Sequence, residues 1–133
     1  MVRIAVLDSH QLFRLAIITL FEHNPEIDVK GDTGSTTALF NILTQKKVDI
    51  VLLSVNQCDD ILYMDIARRI RRNYPTVKIL AVANEGVNAT VQSMMKEGIN
   101  GYIGKRQAGR YELEKAIRIV ASGGRYIGKV EHY

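Results

Sequence analysis

The residues most able to do chemistry in this 133-residue sequence stand just after short apolar runs. Asp8 and Ser9 follow Val2–Leu7, Ser54 follows residues 49–53, Ala83 follows residues 77–82, and Lys105 follows Gly101–Gly104. A carboxylate at such a position offers a negative ligand or a nucleophile. A hydroxyl becomes nucleophilic only beside a base, and an ammonium balances anionic charge. Other familiar chemistries have no signature here. There is no GxGxxG, Walker or GxSxG pattern. His10, His23 and His132 lack metal-ligand spacing, so no metal is expected from them. Cys58 is the single cysteine and has no basic neighbour in sequence to lower its thiol pKa; it reads as inert.

Composition narrows the setting of these residues. Hydrophobic residues make up 47% and charged residues 24%, the balance of an ordinary globular domain. One cysteine excludes an intramolecular disulfide, so a reducing, cytoplasmic setting is expected. No apolar run approaches the ~20 residues that span a bilayer, so no membrane role is expected. The net charge of +4, from 18 basic and 14 acidic residues, is mild, and there is no Trp for base stacking. Secreted, membrane-spanning, collagenous and disulfide-scaffold classes are excluded, and a dedicated nucleic-acid module would usually carry a stronger basic excess.

The elements that must position the chemistry alternate in texture. Apolar, β-branched runs at 2–7, 49–53 and 77–82, with weaker ones at 27–31 and 101–103, predict strands buried on both faces of a parallel sheet. Between them come helical spacings. Leu12, Leu15, Ala16, Thr19 and Leu20 predict one inward stripe. Ala38, Leu39, Ile42 and Leu43 predict the next, then Ile61, Met64, Ala67 and Ile70 before Pro75, then Val87, Val91, Met94 and Met95. Leu113, Ala116, Ile117 and Val120 complete the set, closed by Ser122-Gly123-Gly124. Five βα units predict an α/β, flavodoxin-like fold: a five-stranded parallel sheet, order 2-1-3-4-5, with helices on both faces. Function in that fold gathers at the carboxyl ends of the strands, where the residues named first stand.

Four segments carry a resemblance. They are the opening Ile4-Ala5-Val6-Leu7-Asp8-Ser9-His10-Gln11-Leu12-Phe13-Arg14, the run Asp49-Ile50-Val51-Leu52-Leu53, the segment Gly98-Ile99-Asn100-Gly101-Tyr102-Ile103-Gly104-Lys105, and Ala121-Ser122-Gly123-Gly124-Arg125-Tyr126. Together they resemble the receiver domain of bacterial response regulators, most of all the NarL/LuxR-type receivers that precede a helix-turn-helix. The likeness covers residues 2 to about 127. It implies a receiver-like domain at 1–122, with 123–133 as the start of a linker or a tail.

A typical receiver moves a phosphoryl group onto its own aspartate, using Mg²⁺, a lysine and a switch hydroxyl. Residue by residue, the resemblance puts the phosphoacceptor position on Ser54, the acidic pair on Asp8 and Ser9, and the switch hydroxyl on Ala83. Lys105 and the switch aromatic Tyr102 remain. One carboxylate stands where three would hold Mg²⁺, a reluctantly dehydrating ion. The expectation is a pseudo-receiver that is not an enzyme, holds no cofactor and binds Mg²⁺ weakly or not at all. Lys105 is then expected either to pair with Asp8 or to be a solvated remnant. Two alternatives stay open: an acceptor relocated to a non-standard residue such as Asp8 or Asp59, and a small-ligand sensor using the vacated pocket.

The resemblance also bears on partners. A homodimer is expected across the first and last helices through Ile18 and Ile119, both read as exposed. The family's other dimer surface, on the fourth helix, fifth strand and fifth helix, would lie near Tyr102 and Arg118. A regulatory protein partner is the alternative input. DNA would be reached only through a helix-turn-helix outside these residues. The cluster Arg68, Arg69, Arg71 and Arg72 reads as a solvated helix face. His10 reads as a structural or pocket-edge residue.

Overall fold

The computed structural model describes residues 1–55, 60–83 and 88–128, without the side chains of 60–62 and 88–90. Cys58, Asp59, Val87 and His132 lie outside the described residues. Among the described residues, six strands and five α-helices follow in the order β1 (Val2–Leu7), α1 (Gln11–Phe21), β2 (Ile27–Thr33), α2 (Thr36–Gln45), β3 (Ile50–Val55), α3 (Asp60–Asn73), β4 (Lys78–Ala83), α4 (Asn88–Lys96), β5 (Gly101–Gly104), α5 (Arg110–Ala121) and β6 (Tyr126–Ile127). The sheet is parallel and its order is β2-β1-β3-β4-β5-β6. The five-strand expectation is one strand short. Residues 123–128, expected to begin a linker or tail, turn back at Gly123 (φ +97°), and β6 pairs with β5.

The β-branched runs form the central strands because both of their faces are covered. Ile4, Val6, Ile50, Leu52, Leu80 and Val82 face the side packed by α1 and α5, and Ala5, Val51, Leu53, Ile79 and Ala81 face α2, α3 and α4. The stripe Leu113, Ala116, Ile117 and Val120 of α5 is wholly buried, as expected. So are Leu39, Leu43, Ala67, Ile70, Val91, Met94 and Met95.

Helix α1 differs from expectation. Its inward face is Ile17 and Phe21, with Phe13 and Leu20 partly buried, whereas Leu12 and Leu15 are 81% and 49% exposed. Ala16 and Thr19 are exposed as well. The eleven residues hold two apolar stripes, 12-15-16-19 and 13-17-20-21, and the bulkier one, with two phenylalanines, takes the core. Ile18 and Ile119 are half-buried, not exposed. A Cβ placed on Gly124 would lie 3.0 Å from Ile119 Cγ2, so the returning chain covers that side of Ile119.

Candidate functional site

Asp8 follows directly on β1, with Ser54 in the last turn of pleat of β3 and Lys105 opening a 3₁₀ turn (Lys105–Gln107) after β5. Adjacency of β1 with β3, and of β3, β4 and β5 in sequence along the sheet, brings these ends together. The Asp8 side chain has no solvent exposure, yet both of its oxygens are engaged. Oδ2 accepts the Ser54 hydroxyl and stands 2.9 Å from Lys105 Nζ. Oδ1 accepts the His10 backbone N–H at 2.7 Å and lies 3.2 Å from His10 Nδ1. Burial alone pushes the Asp8 carboxyl up. The hydrogen bonds from Ser54, Lys105 and the His10 amide, with the Lys105 charge, outweigh burial and hold it below the usual carboxylate range.

Two residues without an assigned role in the sequence reading complete the setting. Arg14 donates to the Asp8 carbonyl at 2.6 Å and to Asp32 Oδ2 at 3.0 Å, tying the first loop to the end of β2. Phe13 places its ring 4.5 Å from Lys105 Nζ, a cation–π contact. Their spacing from Asp8 signals neither contact, because both depend on how α1 enters. Of the two readings of Lys105, the structure has the pair with Asp8 and not the solvated remnant. Ser9 is exposed and Ala83 is buried at the end of β4. His10 is exposed and lies at the rim. The hydroxyl–carboxylate contact is also new: the base beside Ser54 is Asp8 itself. For a metal, the cluster offers one carboxylate with its oxygens already occupied. Among the described residues no three His, Cys, Asp or Glu side chains converge.

A family model for the response regulator receiver domain matches residues 4–118. The chain belongs to that family. This receiver is of the two-component, LuxR/NarL type, whose relatives act in transcription regulation. It is 30% identical over 127 residues to the response regulator UvrY of Escherichia coli, covering 96% of this chain and 57% of that protein. It is 28% identical over 132 residues to the transcriptional regulatory protein DegU of Brevibacillus brevis, covering 98% of this chain and 55% of the other. The receiver thus spans somewhat more than half the length of the curated relatives it matches. Among solved structures, the isolated receiver domain of RcsB from Salmonella enterica serovar Typhimurium in its apo form superposes with a TM-score of 0.85 at 19% identity, over 96% of this chain and 92% of that one. That likeness is one of fold.

The remaining candidates of the receiver have local partners. Tyr102 is 1% exposed within the α2–α3–α4 side of the core and so presents no surface. Arg118 faces the α1–β2 turn, 2.6 Å from Glu26, and also bonds Glu114. The arginines of α3 are divided. Arg68 pairs with Glu97 at 3.2 Å, Arg71 donates to the Glu97 carbonyl, and Arg69 lies 4.0 Å from the Phe40 ring centre. All four are exposed, as the solvated-face reading expects, and three of them also hold the α4–β5 turn and α2 to α3 from the surface. No helix among the described residues is long and apolar enough to cross a membrane.

Proposed function

We propose that this receiver serves its regulator by protein contact and not by accepting phosphate on an aspartate. The observation that carries this reading is the occupied Asp8 carboxylate. Ser54 and Lys105 fill one oxygen and His10 the other, so the chain's own side chains stand where a typical receiver would use a metal and a phosphoryl group. Ser54 replaces the acceptor carboxylate implied by the family likeness. Asp8, held below the usual carboxylate range, is a weak base toward the Ser54 hydroxyl. Ala83 offers a methyl where that likeness implies a hydroxyl. We read Mg²⁺ as poorly held, since one engaged carboxylate gives little to offset its dehydration. The domain then has no catalytic residue, and its input is a partner protein or a second copy.

The surface that supports contact lies on α1, where Leu12 and Leu15 are exposed, together with the outer face of α5. There Tyr111, Glu114, Lys115, Arg118 and Ile119 line a groove of about 420 Å³. This shifts the expected dimer patch from Ile18, which is half-buried, to Leu15 and Leu12, about one and nearly two turns earlier. RcsB, alike in fold, is described as two dimers bound to two parallel DNAs. We therefore read a homodimer of this receiver, in the cytoplasm, with DNA reached through a part of the regulator outside these residues.

The test is intact-mass measurement after incubation with Mg²⁺ and acetyl phosphate. The unmodified mass is expected. Addition of one phosphoryl group, on Ser54 if it disappears in Ser54→Ala and on a relocated acceptor such as Asp8 or Asp59 if it persists, would establish the opposite reading, an active receiver on a non-standard residue.

A further inference from the structure

Residues 124–128 form a strap on the outer edge of β5, and the strap touches the turn that carries Lys105. Tyr126 and Gly128 donate their N–H groups to Asn100 O at 3.3 Å and Tyr102 O at 2.8 Å. The Tyr126 hydroxyl donates to Glu112 Oε2 at 2.5 Å. Burial first, then this bond and the Glu112 charge, push the Tyr126 phenol up to about 12. Gly128 makes the closest approach: a Cβ there would lie 2.8 Å from Gln107 Oε1, 3.4 Å from Tyr102 O and 3.5 Å from Ile103 Cα. Gln107 also lies beside Gly104, the residue before Lys105. The 3₁₀ turn is closed by the Ala108 N–H on Lys105 O at 3.2 Å, so Lys105 and Gln107 belong to one short rigid piece.

We propose that the strap reports the state of the Asp8 cluster. With Lys105 on Asp8, the turn packs Gln107 against Gly128 with no room for a side chain between them, and the strap stays seated. Loss of the Lys105–Asp8 contact turns the 105–107 piece, Gln107 crowds Gly128, and the strap leaves β5. The strap suits this use because it is weakly held. Among the described residues its ladder has two residue pairs, and its side-chain hold is one phenol–carboxylate bond with the packing of Tyr126 on the α1–α5 side of the core. Elements with so few contacts open locally at low free energy. It also lies at the exit of the domain, where a change passes directly to whatever follows residue 128. Coupling of this kind is reciprocal, so unseating the strap must loosen the Asp8 cluster by the same factor. The inference rests on the Lys105–Asp8 contact of the unmodified chain and not on the loss of phosphorylation; phosphate addition in the mass test above would leave it standing.

The experiment is amide hydrogen exchange by NMR on the full 133-residue chain, comparing the Gly128 and Tyr126 amides with those of β2 on the far edge. Lys105→Ala is expected to speed exchange at Gly128 and Tyr126 at least tenfold while β2 stays within twofold. Unchanged strap exchange, or strap and β2 rising together, overturns the proposal. Gly128→Pro supplies the reverse arm from outside the Asp8 cluster, since it removes the N–H that bonds Tyr102 O and places a Cβ against Gln107. Shifted Asp8 and Ser54 amide signals are expected there, with β2 unmoved. Signals that stay in place overturn the coupling even if Lys105→Ala fails to fold.

Discussion

Asp8 and Asp49 sit at opposite ends of the same sheet, and the contrast between them defines the site. Asp49, just before β3, accepts the Arg3 backbone N–H at 2.8 Å and the Arg3 Nε at 3.1 Å. Burial pushes its carboxyl up and Arg3 brings it below the usual range, with Lys47 assisting. Both side chains of that pair remain about a third exposed, at 32% and 33%. Asp8 has the same direction of shift and a similar count of partners, but no exposure at all. One is an ordinary clasp at the amino ends of the strands. The other lies at the carboxyl ends, where this fold gathers its functional residues. A shifted carboxyl alone does not mark a site; seclusion from water and the convergence of a hydroxyl, an ammonium and a backbone amide do.

The comparison breaks first at Lys105. Lys105→Met leaves a buried carboxylate without its cation and is expected to cost about 3–5 kcal/mol, the range for breaking one side of a buried pair. Urea unfolding at pH 7 measures it, and a loss below ~1 kcal/mol, the scale of exposed pairs, would make Asp8 no different from Asp49. Asp8→Asn removes the charge and keeps the shape, with an expected loss of about 1–3 kcal/mol. It also tests the sign of the pH dependence. Because the folded carboxyl titrates below its ordinary value of 3.8, its contribution is complete above that pH and disappears as pH falls through the lower folded value. Asp8→Asn is therefore expected to flatten the loss of stability on acidification below pH 3.8.

Arg3→Ala sharpens the other side. The exposed clasp is expected to contribute at most ~1 kcal/mol, and its loss is expected to shrink further in high salt. The smallest effect on stability belongs to α1. Leu12→Asp and Leu15→Asp are expected to stay within ~0.5 kcal/mol of the parent in thermal unfolding, as surface substitutions do. The same pair is expected to weaken self-association in analytical ultracentrifugation, and an unchanged association constant would remove α1 from the contact surface.

Much of this was legible in the sequence because strands buried on both faces leave continuous apolar runs. Residues 49–53 and 77–82 locate the ends that carry Ser54 and Ala83, and alternation points to a doubly wound sheet for which 2-1-3-4-5 is one common order. Those ends bring Asp8 and Lys105 close, but whether the two pair or Lys105 stays solvated depends on its rotamer. The face of α1 was not legible, since two apolar stripes compete and only packing volume decides between them. Nor was β6, for a two-residue strand has no period and its pairing depends on the reversal at Gly123. The Ser54–Asp8 hydrogen bond and the Arg14 contact with the Asp8 carbonyl depend on rotamers and loop path, which residue type alone does not encode.

The central claim is that the Asp8 cluster is closed by the protein's own side chains to the metal and phosphoryl group of a typical receiver. Its most direct test is a two-dimensional amide NMR titration of the chain with Mg²⁺ and beryllofluoride. The account predicts that signals near Asp8, Ser54 and Lys105 keep their positions at millimolar Mg²⁺. Shifts at those residues that saturate with added ion would show a working metal or phosphoryl pocket and contradict it.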